Sequence, residues 1–299
     1  MDVSKIFDAL NDPQREAVGT SPGPMLVLAG AGSGKTRVLT YRIAYLVQAL
    51  EVSPYSILAV TFTNKAANEM RKRIEGFLGF SVRGMWIGTF HGLSHRILRD
   101  HHELAGLPKG FEILDSDDQY RVIRRALKEL NLDEGYWPPR QIQWFINSQK
   151  EEGRRATQVQ DNGDSHQQTL IRVYTHYEET CQRLGLVDFA ELLLRTLELL
   201  EQTSSLLKNY QQRFQHILAS PLGVSSEQLN AALVRAERRR RAFAEPAIQR
   251  HPLPCRQPPK RVGVVVNVHR ILSTAAVCGV APDQSAAHMA AVCGGGRAP

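Results

Sequence analysis

Cysteine is scarce in this 299-residue chain. The four present, Cys181, Cys255, Cys278 and Cys293, show no close pairing. That excludes a zinc site or a disulfide framework and fits a reducing compartment. Long apolar runs are missing as well: no stretch approaches the ~18 residues of a membrane-spanning helix. Met1 to Leu10, interrupted by Asp2, Lys5 and Asp8, lacks the basic-then-apolar layout of a secretory signal, so export is not expected. With 42% hydrophobic and 22% charged residues, collagen-like and wholly disordered classes are excluded. The length suggests about two domains.

Aromatic residues are almost absent from the last quarter of the chain. Of the 21 in total, only Phe243 lies beyond residue 218. The net charge of +7 also belongs there. Residues 1–218 carry 26 Lys and Arg against 26 Asp and Glu, whereas residues 219–299 carry 11 against four. Eight of the 15 prolines fall in the same stretch. Such a segment has few large side chains with which to offset ordering entropy, so a disordered basic tail is expected. Arg235 and Arg238-Arg-Arg-Arg241 read as solvated charge, with electrostatic phosphate contact as the alternative.

The first 218 residues alternate strand and helix. Met25-Leu-Val-Leu-Ala29, Ile57-Leu-Ala-Val-Thr61 and Met85-Trp-Ile-Gly-Thr89 are short apolar runs of the kind buried in parallel sheets. Between and after them, Val38, Leu39, Ile43, Val47 and Leu50, then Lys65 to Leu78, then His91 to Leu104, have helical spacing. This predicts an α/β fold with an open parallel sheet. From about residue 105 the pattern turns helical. Capping boxes are expected at Ser116-Asp-Asp-Gln119, Ser165-His-Gln-Gln168 and Asp188-Phe-Ala-Glu191, and Pro138-Pro139 opens a further helix. A last strand starts at Phe214-Gln-His-Ile-Leu218, and Ala219-Ser-Pro-Leu-Gly is not expected to continue it.

Ala29-Gly-Ala-Gly-Ser-Gly-Lys-Thr36 sits between the first strand and the first long helix, with Walker A spacing and Ala in place of the first Gly. Small residues there let backbone N–H groups close around phosphate oxygens at a helix N-terminus. Lys35 reaches the β- and γ-phosphates, and the Thr36 hydroxyl is the predicted Mg²⁺ ligand. Lys35 and Thr36 are therefore the candidate catalytic pair. Ala29, Gly30, Ala31, Gly32, Ser33, Gly34, Lys35, Thr36 and Arg37 form the candidate ATP site. The plain alternative is a glycine-rich turn. A dinucleotide fingerprint fails because position 35 is lysine rather than glycine.

Leu10-Asn-Asp-Pro-Gln14, the loop Ala29–Thr36, Ala59-Val-Thr-Phe-Thr-Asn-Lys-Ala-Ala67 and Gly88-Thr-Phe-His-Gly92 occur in this order. So do Trp137-Pro-Pro-Arg140, Ile146-Asn-Ser-Gln-Lys150 and Gly185-Leu-Val-Asp-Phe-Ala-Glu-Leu-Leu193. On these tracts residues 1–218 resemble the UvrD/Rep/PcrA family of superfamily-1 DNA helicases. The resemblance implies a P-loop NTPase (RecA-like) fold, ATP-dependent 3′→5′ unwinding, and work in DNA repair within the bacterial cytoplasm at the nucleoid. The implied partners are single-stranded and duplex-junction DNA and repair proteins. It implies adenine recognition by Gln14, for which an amide is chemically suited. It implies base stacking by Phe62 and backbone contacts by Thr63, Asn64, Thr89 and His91. A core role for Phe62 and a capping role for His91 remain open. The implied division is an ATP-binding motor of residues 1–104 and 186–218, an inserted helical subdomain of residues 105–185, and the tail 219–299.

The pattern breaks at Ala219. Where the family has a Val-Asp-Glu-Phe-Gln-Asp-Thr box, which supplies the Mg²⁺-holding Asp and the water-positioning Glu, this chain has Ala219-Ser-Pro-Leu-Gly. The second motor, with its arginine finger, is not found in the sequence. The abrupt change of composition reads as an out-of-frame translation of a GC-rich gene, with a divergent natural C-terminus as the alternative. The expectation is a truncated helicase that binds nucleotide and turns it over negligibly. Alternatives are a binding-only remnant or a different P-loop ATPase.

Overall fold

The computed structural model describes residues 4–23, 25–28, 33–161, 163–220, 249–252 and 262–266. In chain order the first elements are α1 (Ser4–Asp8), α2 (Asp12–Gly19), β1 (Met25–Leu28), α3 (Lys35–Gln48), β2 (Ile57–Thr61), α4 (Asn64–Leu78), β3 (Trp86–Thr89) and α5 (Phe90–Asp100). Then follow β4 (Glu112–Ile113), α6 (Ser116–Glu129), α7 (Pro139–Glu151), α8 (Ser165–Leu184), β5 (Leu186–Val187), α9 (Phe189–Gln202), α10 (Ser204–Arg213) and β6 (His216–Ser220). Two tail strands, β7 (Gln249–Pro252) and β8 (Val262–Val266), complete the set.

The main sheet has the order β3-β2-β6-β8-β1-β7. Strands β3, β2 and β6 pair in parallel, and β1 pairs in parallel with β7. Period-two alternation splits the residues of the strands between two faces. Ile57, Ala59, Ile87 and Leu218 join α2, α3 and α4 in one apolar cluster. Leu58, Val60, Trp86, Ile217 and Ala219 join α5, α9 and α10 in another. A sheet covered on both faces needs apolar residues at successive positions, which is why β2 is buried along its whole length.

The third cluster is helical. Ile123 and Leu127 of α6, Ile142 and Ile146 of α7, and Val173, Tyr174 and Tyr177 of α8 pack together beside the sheet. Among the described residues of 105–185 the only strand is the two-residue β4, which pairs with β5 rather than with the main sheet, and Leu186 of β5 packs against this cluster. Gly185 closes α8 in the left-handed region, at φ 66°. A Cβ there would lie 2.5 Å from Pro108 Cγ, so glycine is required twice over.

Three details depart from the sequence expectation. Asp115 rather than Ser116 caps α6, accepting from the N–H groups of Asp117 and Asp118 at 2.8 Å each. Gln119 is thereby released into a buried network. Asp164 rather than Ser165 caps α8, its side chain accepting from His166 N–H at 3.1 Å. Finally, β6 does not stop at Leu218: Ala219 and Ser220 pair with Val60 and Thr61. Backbone pairing with β2 carries the strand on whatever the side chains.

The tail also differs from expectation at two places. Gln249–Pro252 and Val262–Val266 are strands in the main sheet, and β8 runs antiparallel between β6 and β1. The β-branched composition of Val-Gly-Val-Val-Val suits a strand. The remainder of the tail, including Arg235 and Arg238–Arg241, lies outside the described residues. No helix among the described residues is long and apolar enough to cross a membrane.

Candidate nucleotide and nucleic-acid site

The register places three side chains in one row. Thr61 of β2 pairs with Thr89 of β3 on one side and with Ser220 of β6 on the other. All three end their strands at the carboxyl edge, where open α/β sheets bind ligands. β1 runs the same way, antiparallel to β8 as β6 is, so the start of α3 lies at that edge too.

Ala29, Gly30, Ala31 and Gly32 lie outside the described residues. Ser33 and Gly34 are half-buried, and Lys35 and Thr36 form the first turn of α3, also half-buried. Gly34 is the N-cap, at φ 85°, and no side chain caps the helix. The N-terminal end of α3 therefore points backbone N–H groups toward the loop, the arrangement that takes an anion. Arg37 is exposed, its guanidinium 5.8 Å from the centroid of the Tyr41 ring.

Gln14 is drawn into this turn. Asn11 and Gln14 form a capping box at the start of α2. Gln14 N–H donates to Asn11 Oδ1 at 3.0 Å, and Gln14 Oε1 accepts from Asn11 N–H at 3.3 Å. Gln14 Nε2 then donates to the Ser33 carbonyl at 3.0 Å. The side chain braces the loop from the α2 end and is itself buried. One donor and one acceptor position of the amide remain, the pair an adenine edge uses. A Cβ on Gly34 would sit 2.8 Å from Gln14 Nε2, so the cradle leaves no room there for a side chain.

The predicted DNA contacts divide into two kinds. Phe62, Thr63 and Asn64 follow β2 and are all exposed, with Phe62 at 54%. The phenyl ring is therefore not packed in the core. Thr63 caps α4, accepting from Ala66 N–H at 3.2 Å. Thr89 is buried and caps α5, accepting from Gly92 N–H at 3.1 Å. His91 is half-buried in the first turn of α5, and burial holds its pKa below the ordinary imidazole value.

Sequence reasoning read the Asp188–Leu192 tract as matching a family motif near DNA, with capping as the alternative, but did not single out Phe189. It is the first residue of α9, half-exposed, and meets His91 edge-on with ring centroids 5.9 Å apart.

Also missed was the ion network behind Phe189. Asp188 Oδ1 caps α9 through Glu191 N–H at 2.7 Å. Asp188 Oδ2 accepts from Lys150 Nζ and Tyr177 Oη, each at 2.7 Å. Lys150 also pairs with Glu191 at 2.9 Å, and both are almost fully buried. Glu191 accepts further from Arg155 and Arg195. Burial opposes the Lys150 charge, but Asp188 and Glu191 outweigh it and raise its pKa above the ordinary ammonium value. Burial likewise opposes the Glu191 charge, and Lys150, Arg155 and Arg195 outweigh it and hold the carboxyl far below the carboxylate range.

The phosphate cradle thus fits an anionic nucleotide. The metal half of the site does not fit. At the end of β6, in the row with Thr61 and Thr89, stands the neutral Ser220, so the described residues at this edge bring hydroxyls and no carboxylate to the Thr36 side of the site. Hard divalent cations take several oxygen ligands, commonly with carboxylates among them. No cluster of His, Cys, Asp and Glu able to hold a metal occurs among the described residues.

A mostly parallel sheet flanked by helices, with the uncapped N-terminus of α3 at its carboxyl edge, fits a P-loop NTPase. The chain belongs to the UvrD/REP helicase family: the profile of the UvrD/REP helicase N-terminal domain matches residues 10–219. It is 59% identical over 218 residues to DNA helicase II of Salmonella typhimurium strain LT2 and 58% identical over 218 residues to that of Escherichia coli strain K12. Each match covers 73% of this chain and 30% of the relative. The ATP-dependent DNA helicase PcrA of Leuconostoc citreum is 44% identical over 221 residues, covering 73% of this chain and 29% of that protein. The chain therefore spans about a third of the length of these relatives. The family match ends at residue 219, where the aromatic residues also give out.

Proposed function

We propose that the chain binds ATP at the α3 N-terminus and single-stranded DNA along the adjoining sheet edge, and that it does not turn the nucleotide over. The observation that carries this reading is the shared edge. Gly34, Lys35 and Thr36 open beside the row Thr61, Thr89 and Ser220, and Phe62 projects from the same row. In this reading Ser33 to Arg37, with Ala29 to Gly32, hold the phosphates, and Gln14 reads the adenine while bracing Ser33. Phe62 and Phe189 offer flat rings to bases, and stacking of this kind is tolerant of sequence. Thr63, Asn64, Thr89 and His91 contact the DNA backbone.

The domain reading is part of the proposal. Residues 1–104 with 186–218 form the nucleotide-binding motor, and residues 105–185 form an inserted helical subdomain. The relatives are named as DNA helicases, one of them as ATP-dependent; to the activity this chain derives from, the proposal adds unwinding of duplex-junction DNA and cooperation with repair proteins in the bacterial cytoplasm. Mg²⁺ would meet only Thr36 here. Residues 219–299 are read as translated out of the family's frame, which sequencing the gene across codon 219 checks.

Two substitutions test the two halves separately. Gly34→Ala puts a Cβ into the left-handed region, at a cost of about 1–2 kcal/mol, and pushes Gln14 Nε2 off the Ser33 carbonyl. Binding of a fluorescent ADP analogue should weaken about ten-fold, with DNA binding unchanged. Phe62→Ala removes an exposed ring, so the fold is expected to hold while affinity for oligo(dT) falls about ten-fold, as loss of one stacked base predicts. Unchanged ADP affinity in the first variant would refute the cradle. Unchanged oligo(dT) affinity in the second would refute the edge.

A further inference from the structure

We propose that the cavity between the Tyr136–Trp137 turn, α7 and the first turns of α8 is a base-stacking site for single-stranded nucleic acid. It is distinct from the sheet edge and shares no residue with it. The cavity holds about 490 Å³ and is lined by Tyr136, Trp137, Arg140, Trp144 and His166, among others. That volume is ample for one nucleotide and within the range of small-ligand pockets.

The aromatic rings are placed for a flat ligand rather than for a core. α7 turns Ile142, Gln143, Ile146 and Lys150 inward, which leaves Trp144 off the buried face and 67% exposed. Tyr136 is 72% exposed. Two large bare rings converging on one cavity are a costly use of apolar surface unless something covers them. Behind them Trp137 is buried and stacks on His166, with centroids 4.6 Å apart and planes 26° from parallel.

The polar groups select the class of ligand. Arg140 is held at the rim by Asp117 at 3.1 Å and by Gln143 Oε1 at 3.1 Å, with its guanidinium 4.6 Å above the Tyr120 ring. The lining carries this guanidinium and one imidazole and no carboxylate. Its complement is a flat π-system; the Arg140–Asp117 pair is exposed on both sides, so the guanidinium stays open to a phosphate as well, and a nucleotide in a strand supplies both. Stacking uses a face every base possesses, so the site takes single strands without sequence preference. The amide of Gln141, also in the lining, is a donor and acceptor for a base edge.

The full chain reports on its own occupancy. Trp137 and Trp144 are two of its three tryptophans, and the third, Trp86, is buried in the motor core. Titration with (dT)12 should quench tryptophan fluorescence. Trp144→Ala and Tyr136→Ala should each weaken binding of labelled (dT)12 about ten-fold, with helical circular dichroism and ADP-analogue affinity unchanged. Arg140→Gln should weaken binding and flatten its salt dependence. Phe62→Ala should leave the quenching in place, which separates this site from the sheet edge if either fails. Unaltered (dT)12 affinity in both Trp144→Ala and Tyr136→Ala would overturn the proposal. So would quenching by free dTMP as strong as by the oligomer, which would make the cavity a mononucleotide site, or quenching by an apolar peptide alone.

Discussion

Lys150→Met is expected to destabilise the fold by about 3–5 kcal/mol, the cost of stripping one partner from a buried ion pair. The ammonium has no water to replace it: its side chain is 2% exposed, as is that of Asp188. Removing it leaves Asp188 with only Tyr177 and a long 3.4 Å contact from Gln119 on Oδ2. Glu191 fares better, since Arg155 and Arg195 remain. The second substitution should therefore restore stability: Lys150→Met with Asp188→Asn is expected to recover part of the loss, because no unpaired charge stays buried. Guanidinium denaturation of the single and double variants measures both values and their coupling.

The same network sets a pH window. The depressed pKa of Glu191 contributes stability above the ordinary carboxylate value of about 4.3, lost as pH falls through its lower folded value. The raised pKa of Lys150 contributes stability below the ordinary ammonium value of about 10.4, lost as pH rises through its higher folded value. Between those limits both terms are present. In Lys150→Met the alkaline term disappears, while the acid term shrinks.

This network was invisible in the sequence, and the reason is physical. Lys150 reads as one more polar residue near a helix end, and Asp188 and Glu191 read as a capping box. Asp188 is in fact both: one oxygen caps α9 and the other receives Lys150 and Tyr177. Burial of a charge depends on partners that lie 38 residues away in the chain, and no local pattern encodes that. By contrast the strand ends at Thr61 and Thr89 were legible, because apolar runs and cap hydroxyls are local signals. The Gln14 brace was half legible. Asn11 and Gln14 stand three apart, as a capping box requires, but the contact with Ser33 depends on the fold. The cap shifts to Asp115 and Asp164 show the limit of local reading, since each was misplaced by one residue where two capping side chains compete.

ATP turnover is expected to be lost almost completely, and the argument rests on one strand end. Ser220 occupies the carboxyl-edge row beside Thr61, where the family resemblance implies an acidic box. A hydroxyl cannot balance the charge of a divalent cation as a carboxylate does. The next residue is Pro221, whose ring carries no group to orient or deprotonate water. A positioned acid–base group is worth ~10²–10⁴ in rate, before any loss from weaker metal binding. The phosphate cradle at Gly34 to Thr36 is independent of that strand end, so affinity for nucleotide should outlast activity. Ala219→Val, Ser220→Asp and Pro221→Glu together restore the family's residues, and measurable improvement in Mg²⁺-dependent nucleotide binding is expected from them.

The deciding measurement is phosphate release with single-stranded DNA present, from the purified chain and from its Lys35→Ala variant, each checked for binding of the ADP analogue. The expected result is nucleotide binding by the chain and not by the variant, with phosphate release equal in both. Release well above the Lys35→Ala level would mean that another group does the work of the missing carboxylates, and would contradict the assignment of this chain as a nucleotide-binding member of the family without turnover.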